Sequence, residues 1–168
     1  MFAMLIGALG VGANCIIYQQ KSGKKLLLWK LISDVLWFLH YLFLKAYSGS
    51  AVALIGVFRE CIFYNENKKE KKNIFYPILF ILITIASAIL TWKNITGIFP
   101  MCASVMSIIS FWKANPKFAR IIAYPISGLM LSYNIGCMSY MGIISEIMTL
   151  IATTVAIIRM SRKDEKNA

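Results

Sequence analysis

The stretch IFYPILFILITIASAILT, residues 74–91, is the one apolar segment that has no partner elsewhere in the sequence. Three comparable apolar runs precede it, at residues 2–18, 26–44 and 50–64. Three more follow it, at residues 97–111, 118–135 and 139–158. This pattern predicts three helices, one linker helix and three further helices.

The composition places these helices in lipid. The chain has 168 residues, of which 59% are hydrophobic, and a mean hydropathy of +0.68, more than the core of a soluble domain requires. The apolar runs are continuous and do not alternate with polar residues. Because a segment in lipid must satisfy its own backbone hydrogen bonds, such runs favour helices. We expect an all-α membrane protein with seven transmembrane helices.

Basic residues are concentrated in the loops on one predicted side of the membrane. With the amino terminus outside, the inner segments are residues 19–25, 65–73, 112–117 and the tail from Arg159. Lys30 and Arg120 lie at the inner ends of helices, and the side chain of Lys30 is expected to extend to the membrane surface. The inner segments themselves hold Lys21, Lys24, Lys25, Lys68, Lys69, Lys71, Lys72, Lys113, Lys117, Arg159, Arg162, Lys163 and Lys166.

Only Lys45 and Lys93 fall on the outer side, and Arg59 lies inside a span. This asymmetry predicts a membrane protein with its amino terminus outside and its carboxyl terminus in the cytoplasm. The net charge of +11 then reflects topology and attraction to anionic lipid, and nucleic acid is not an expected partner.

A weak internal repeat supports the same plan. Lys21 and Lys25 recur 92 positions later as Lys113 and Lys117, whereas the pair Tyr47 and Gly49 recurs 93 positions later as Tyr140 and Gly142. Units of three spans would be inverted relative to each other unless a linker helix separates them. We therefore divide the chain into a first unit (1–65), an inner loop and linker helix (66–95), a second unit (96–160) and a cytoplasmic tail (161–168).

Eight positions carry a family resemblance over most of the chain: His40, Tyr47, Arg59, Pro100, Asn134, Ser139, Gly142 and Glu146. The arrangement of three, one and three helices resembles the SWEET and PQ-loop transporter superfamily. The detailed pattern looks more like the YgjV family of bacterial inner membrane proteins. The resemblance implies two parallel three-helix units and transport of a small solute.

Prolines set the chain apart from the SWEET pattern. SWEET-like proteins carry them in corresponding helices of both units, where a lost backbone hydrogen bond gives a hinge. Here Pro100 and Pro125 fall in the second unit and the first unit has none. These two prolines are candidate gating residues.

Three polar residues fall in the outer half of predicted spans: His40, Asn134 and Glu146. We expect them to surround a solute site, because polar groups at membrane depth are costly and usually serve a pathway or pair internally. An alternative is that His40 and Asn134 only cap helix ends. Trp37 would stack on a ligand ring and Ser104 would supply a hydroxyl, although interface anchoring and helix packing are the commoner roles of these residue types.

A second polar set lies toward the inner side: Asn14, Asp34, Arg59 and Glu60. An unpaired charge at a helix centre costs about 2.5–3.5 kcal/mol on insertion scales, which favours a pair between Asp34 and Arg59. Arg59 and Glu60 are adjacent and should point to different faces. The alternatives for this set are gating and a purely structural pair in which Arg59 extends to the inner surface.

Catalytic and metal motifs are not found in the sequence. Cys15, Cys61, Cys102 and Cys137 form no CxxC pair, and a single histidine leaves little material for hydrolytic catalysis. We expect no metal, no cofactor and no enzyme activity. Two function classes remain: a passive or proton-coupled solute transporter with Glu146 and His40 as proton carriers, and a non-transporting receptor or accessory protein. The expected partners are the bilayer and a small solute, and a homo-oligomer is left open.

Overall fold

The computed structural model describes residues 2–70, 72–91 and 95–165, with side chains described up to residue 160. These parts contain no β-strand, which confirms the all-α prediction. Lys71, Lys93 and Lys166 and the side chains of the predicted tail lie outside the described residues. The helices are α1 (Phe2–Gln19), α2 (Gly23–Phe43), α3 (Tyr47–Lys68), α4 (Phe75–Leu90), α5 (Ile98–Lys113), α6 (Pro116–Gly136) and α7 (Tyr140–Glu165), with a 3-10 turn at Ile95–Gly97.

Four segments in the described parts are long and apolar enough to cross a membrane. They are α1, α2, the stretch Ile95–Lys113 that includes α5, and the Tyr140–Met160 part of α7. The linker helix α4 is apolar but has only 16 residues. Length and composition therefore identify four clear spans, fewer than the seven predicted.

The polarity of the bundle is inverted relative to a soluble protein. Large apolar side chains are exposed on every helix, whereas Asp34, Arg59, Glu60 and Glu146 are buried. In water, paired charges belong on the surface and apolar side chains inside. An apolar exterior around a polar centre suits lipid as the surrounding solvent.

Six helices form a closed ring. Each of α1, α2 and α3 packs on the next, α3 packs on α5, and the ring continues through α6 and α7 back to α1. The helix α4 packs against α3 and α5. One end of the bundle carries the turns near Lys21 and Ala114 and is called the Lys21 end. The opposite end, with turns at Lys45 and Met138, is called the Lys45 end.

The two halves of the ring have matching backbone geometry 93 residues apart. Helices α2 and α6 both contain 21 residues and begin 93 positions apart, as do the starts of α3 and α7. Lys45 and Met138 both have positive φ, at 56° and 54°. The backbone bonds that close these turns correspond as well: Ala46 N–H donates to Tyr41 O, and Ser139 N–H donates to Asn134 O, both at 2.9 Å.

Candidate binding cavity and ion-pair network

A cavity of about 100 Å³ lies at the centre of the ring, and all six ring helices contribute to its wall. The wall includes the predicted residues Trp37 and Pro100. It also includes Asn14, Lys30, Asp34, Arg59, Ser104 and Glu146. Charged groups from α2, α3 and α7 therefore face one central space.

An ion-pair network of Lys30, Asp34, Arg59 and Glu60 borders this cavity, and its members other than Glu60 line the wall. Lys30 Nζ pairs with Asp34 Oδ1, one turn along α2. Arg59 Nη2 lies 3.7 Å from Asp34 Oδ2, and Arg59 Nε donates to Glu60 Oε1 at 2.9 Å. The network joins α2 to α3, and both of its basic side chains have carboxylate partners.

Arg59 is held inside the bundle and does not extend to the surface. It is 2% exposed, and Nη1 also donates to Ser104 Oγ on α5 at 3.4 Å. The expectation that Arg59 and Glu60 face different ways is wrong, because their long side chains turn toward each other and bond. Adjacent residues on a helix start on different faces, but the long side chain of Arg59 can curve around the helix and reach the carboxylate of Glu60.

The expectation that Lys30 extends to the surface is also wrong. Its ammonium lies against Asp34 in the cavity wall. The spacing of four residues between Lys30 and Asp34 is the usual one for an ion pair on a helix. That spacing was the signal in the sequence that would have identified the pair.

Asn14 connects three helices. Its Oδ1 accepts a hydrogen bond from Ser33 Oγ on α2 at 2.5 Å, and its Nδ2 donates to Ser145 Oγ on α7 at 2.8 Å. Glu146 lies one residue beyond Ser145 and is hydrogen-bonded to Ser127 on α6. Asn14 thus holds α7 in register where Glu146 enters the cavity.

A second polar group lies toward the Lys45 end and is called the capping cluster (His40, Tyr41, Tyr133, Asn134 and Ser139). Tyr41 Oη donates to Asn134 Oδ1 at 2.8 Å, and these two residues are themselves 93 positions apart. Tyr133 Oη accepts from the backbone N–H of Gly49 at 2.9 Å. Helix α6 of the second half therefore caps the start of helix α3 of the first half.

His40 makes the corresponding contact through a serine. Its Nε2 lies 2.9 Å from Ser139 Oγ, which accepts from Gly142 N–H at 3.1 Å. Its Nδ1 lies 2.8 Å from Ala3 O. Because a carbonyl only accepts, Nδ1 carries the proton in the neutral ring and Nε2 accepts from Ser139.

The structure does not bring the three predicted solute-site residues together. Glu146 lines the cavity, while His40 and Asn134 bond within the capping cluster and do not contribute to the wall. Both are buried, so they cap helix ends inside the bundle. Tyr41 and Tyr133 were missed, although each lies next to a predicted residue and 93 positions from a polar counterpart.

The two candidate gating prolines are placed differently. Pro100 lines the cavity as the third residue of α5, where a backbone N–H has no acceptor within its own helix. Pro125 interrupts the middle of α6 and faces outward. Only the second therefore removes a hydrogen bond from a helix interior.

Apolar side chains pack on both sides of the cavity along the bundle. Toward the Lys45 end, Trp37, Tyr41, Ala53 and Tyr133 pack together. Toward the Lys21 end the packed residues include Ile17, Leu26, Leu27, Phe63, Ile108 and Phe111. The polar centre lies between these two layers.

An apolar exterior and charges enclosed at mid-bundle define a polytopic helical membrane protein. A model of the Imp-YgjV family, described as a bacterial inner membrane protein, matches residues 1–164. The chain therefore belongs to this family. No curated protein and no solved structure matches it.

Proposed function

We propose that the protein moves a small polar solute across the bacterial inner membrane, with the central cavity as its binding site. The observation that carries this proposal is the central cavity with Lys30, Asp34, Arg59 and Glu146 in its wall. Buried charges are costly in a membrane, and those that face a cavity commonly mark a solute or ion pathway.

The moving parts would be two three-helix units, α1–α3 and α5–α7, joined by α4. The 93-residue correspondence of helix starts and turns supports this division, as does the packing of α4 on α3 and α5. Parallel repeats about an axis along the membrane normal also fit the SWEET-like plan that the sequence resembles. Rocking one unit against the other would open the cavity to each side in turn.

The small volume of the cavity corresponds to a contracted state in this mechanism. A cavity of about 100 Å³ is below the roughly 300–1,000 Å³ of typical ligand pockets. The apolar layers on both sides must separate before a solute can enter. The Lys21 end would face the cytoplasm, because basic residues concentrate there.

Uptake by proteoliposomes tests the proposal. The purified protein should accumulate at least one member of a panel of sugars, amino acids, small amines and vitamin precursors, with and without an inward proton gradient. Glu146→Gln should abolish gradient dependence if Glu146 carries the proton, and should weaken uptake in every case. Glu70→Gln, the same change at an exposed loop residue, should leave uptake unchanged.

If no solute in the panel enters the vesicles, the transport proposal fails. The alternative is then a non-transporting membrane protein that binds a partner through the same bundle.

A further inference from the structure

We infer that the central cavity binds a small primary amine in its ammonium form, with the carboxylate of Glu146 as its counter-ion. This inference rests on the proposed function and names the chemical class of its solute.

The charge balance of the cavity is the first argument. Lys30 is paired with Asp34, and Arg59 is paired with Asp34 and Glu60. Glu146 has no ion-pair partner within 4 Å among the described residues, and Lys30, which acts on it electrostatically, is bonded to Asp34. Counted over the cavity wall and the ion-pair network together, the three carboxylates of Asp34, Glu60 and Glu146 are matched by two bases, Lys30 and Arg59. One monovalent cation would neutralise the excess.

The surroundings of Glu146 provide the second argument. Thr149 lies three residues further along α7, so it shares the face of Glu146. It lines the cavity, is 3% exposed, and its hydroxyl has no hydrogen-bond partner in the described part of the chain. A hydroxyl oxygen accepts a hydrogen bond from an ammonium group. Glu146 and Thr149 together offer two acceptor groups from adjacent turns.

The aromatic wall favours an organic cation. Trp37 and Tyr41 line the cavity and pack against each other, with ring centroids 5.6 Å apart. The face of an indole or phenol ring attracts a cation, and the rest of the ring accommodates the carbon atoms of an amine. A bare alkali ion would instead need several more oxygen ligands at fixed distances.

Other solute classes fit these groups less well. An anion would meet the carboxylate of Glu146 and two bases that already have partners. A neutral sugar would supply no positive charge to pair with the carboxylate of Glu146. The described residues contain no group of three or more histidine, cysteine or acidic side chains that could hold a metal ion.

Calorimetric titration of the full-length protein in lipid nanodiscs tests the inference. Methylammonium chloride is titrated at constant ionic strength in potassium chloride, and sodium chloride and glucose are titrated separately. We expect saturable binding of methylammonium, no saturable signal from sodium or glucose, and at least tenfold weaker methylammonium binding in Glu146→Gln. Glu70→Gln is the matched control and should bind as the unaltered protein does.

A further variant keeps the test valid if Glu146→Gln does not fold. Thr149→Val preserves the shape of the side chain and removes its hydroxyl, and it should weaken methylammonium binding severalfold. The inference is overturned if methylammonium does not bind, if sodium or glucose binds in its place, or if both variants bind it as tightly as the unaltered protein.

Binding and transport can fail separately. Saturable methylammonium binding without uptake of methylammonium or any panel solute into proteoliposomes would support the cation site and contradict the transport proposal. Uptake of another solute by a protein that does not bind methylammonium would contradict the cation site and leave transport standing.

Discussion

Gly56, in the middle of α3, leaves the space that the carboxylate of Asp34 occupies. A Cβ atom at position 56 would lie 2.5 Å from Asp34 Oδ2 and 2.9 Å from its carboxyl carbon. Asp34 cannot withdraw freely, because it is paired with Lys30 and lies 3.7 Å from Arg59. The ion-pair network therefore depends on a glycine on the facing helix.

Gly56→Ala should destabilise the protein by about 1–3 kcal/mol, the usual cost of inserting a methyl group into a packed interior. Thermal unfolding in detergent measures this effect. The matched control is Gly128→Ala, where an added Cβ would meet nothing within 4 Å. It should be neutral or stabilising by up to about 1 kcal/mol, because alanine is the better helix former. Equal shifts in the two variants would contradict the role assigned to Gly56.

The sequence predicts which polar residues are buried better than it predicts their partners. The sequence predicts a pair between Asp34 and Arg59 because a charge inside an apolar run needs a partner, and the structure places their charged groups 3.7 Å apart. The position of Lys30 near a helix end predicts an exposed side chain, yet Lys30 is the closer partner of Asp34. Depth along a helix can be read from the sequence, but side-chain direction depends on how the helices pack.

At the scale of helices and turns, the capping cluster joins the two halves of the ring. Tyr133 Oη lies at the start of α3, where the N–H of Gly49 belongs to the first turn and has no acceptor within its own helix. His40 and Ser139 play the same part at the start of α7. These contacts tie α2 to α7 and α6 to α3 at the Lys45 end.

Tyr133→Phe removes the acceptor of the Gly49 N–H and should destabilise the protein by about 1–3 kcal/mol, the cost of leaving a buried donor unpaired. Denaturant unfolding in detergent measures the loss. Tyr124→Phe is the control, because its partner Thr154 Oγ1 keeps a second hydrogen bond to Leu150 O. Its effect should stay within about 0.5 kcal/mol. A loss in Tyr124→Phe as large as that in Tyr133→Phe would argue against the capping role.

Helix positions could be predicted well, and helix neighbours could not. The run at residues 74–91 became α4, Phe75–Leu90, because a long apolar segment bounded by charges has few alternatives in lipid. Its composition does not indicate that it packs against α3 and α5. Helices α3 and α6 are not among the four clear spans. Each carries polar residues that are buried inside the bundle, such as Glu60 on α3 and Asn134 on α6.

At the scale of the whole molecule, basic residues at the Lys21 end have structural roles as well as a topological one. Arg120 donates from Nε to Tyr18 O at 2.9 Å and from Nη2 to Gln20 O at 3.0 Å. Lys72 Nζ donates to Lys113 O at 2.6 Å. Cations at helix carboxyl ends stabilise the exposed carbonyls and the helix dipole.

Single cysteines at Lys45 and Lys69, in a background without the native cysteines, test the orientation. The charge asymmetry predicts that an impermeant thiol reagent added to intact cells labels Lys45→Cys and not Lys69→Cys. Both positions are exposed, so permeabilised cells should show labelling at both. Labelling of Lys69→Cys alone in intact cells would reverse the proposed topology.

Access to the cavity from both sides of the membrane tests the central claim most directly. Ala53 lines the cavity and lies 93 positions before Glu146, so Ala53→Cys, in the cysteine-free background, reports on the site without removing a polar group. A small charged methanethiosulfonate reagent is added to intact cells and, separately, to inside-out vesicles. Ala123→Cys, fully buried in the apolar layer toward the Lys21 end, is the unreactive control. Alternating access predicts that Ala53→Cys reacts from both sides, whereas reaction from neither side or from one side alone would contradict it.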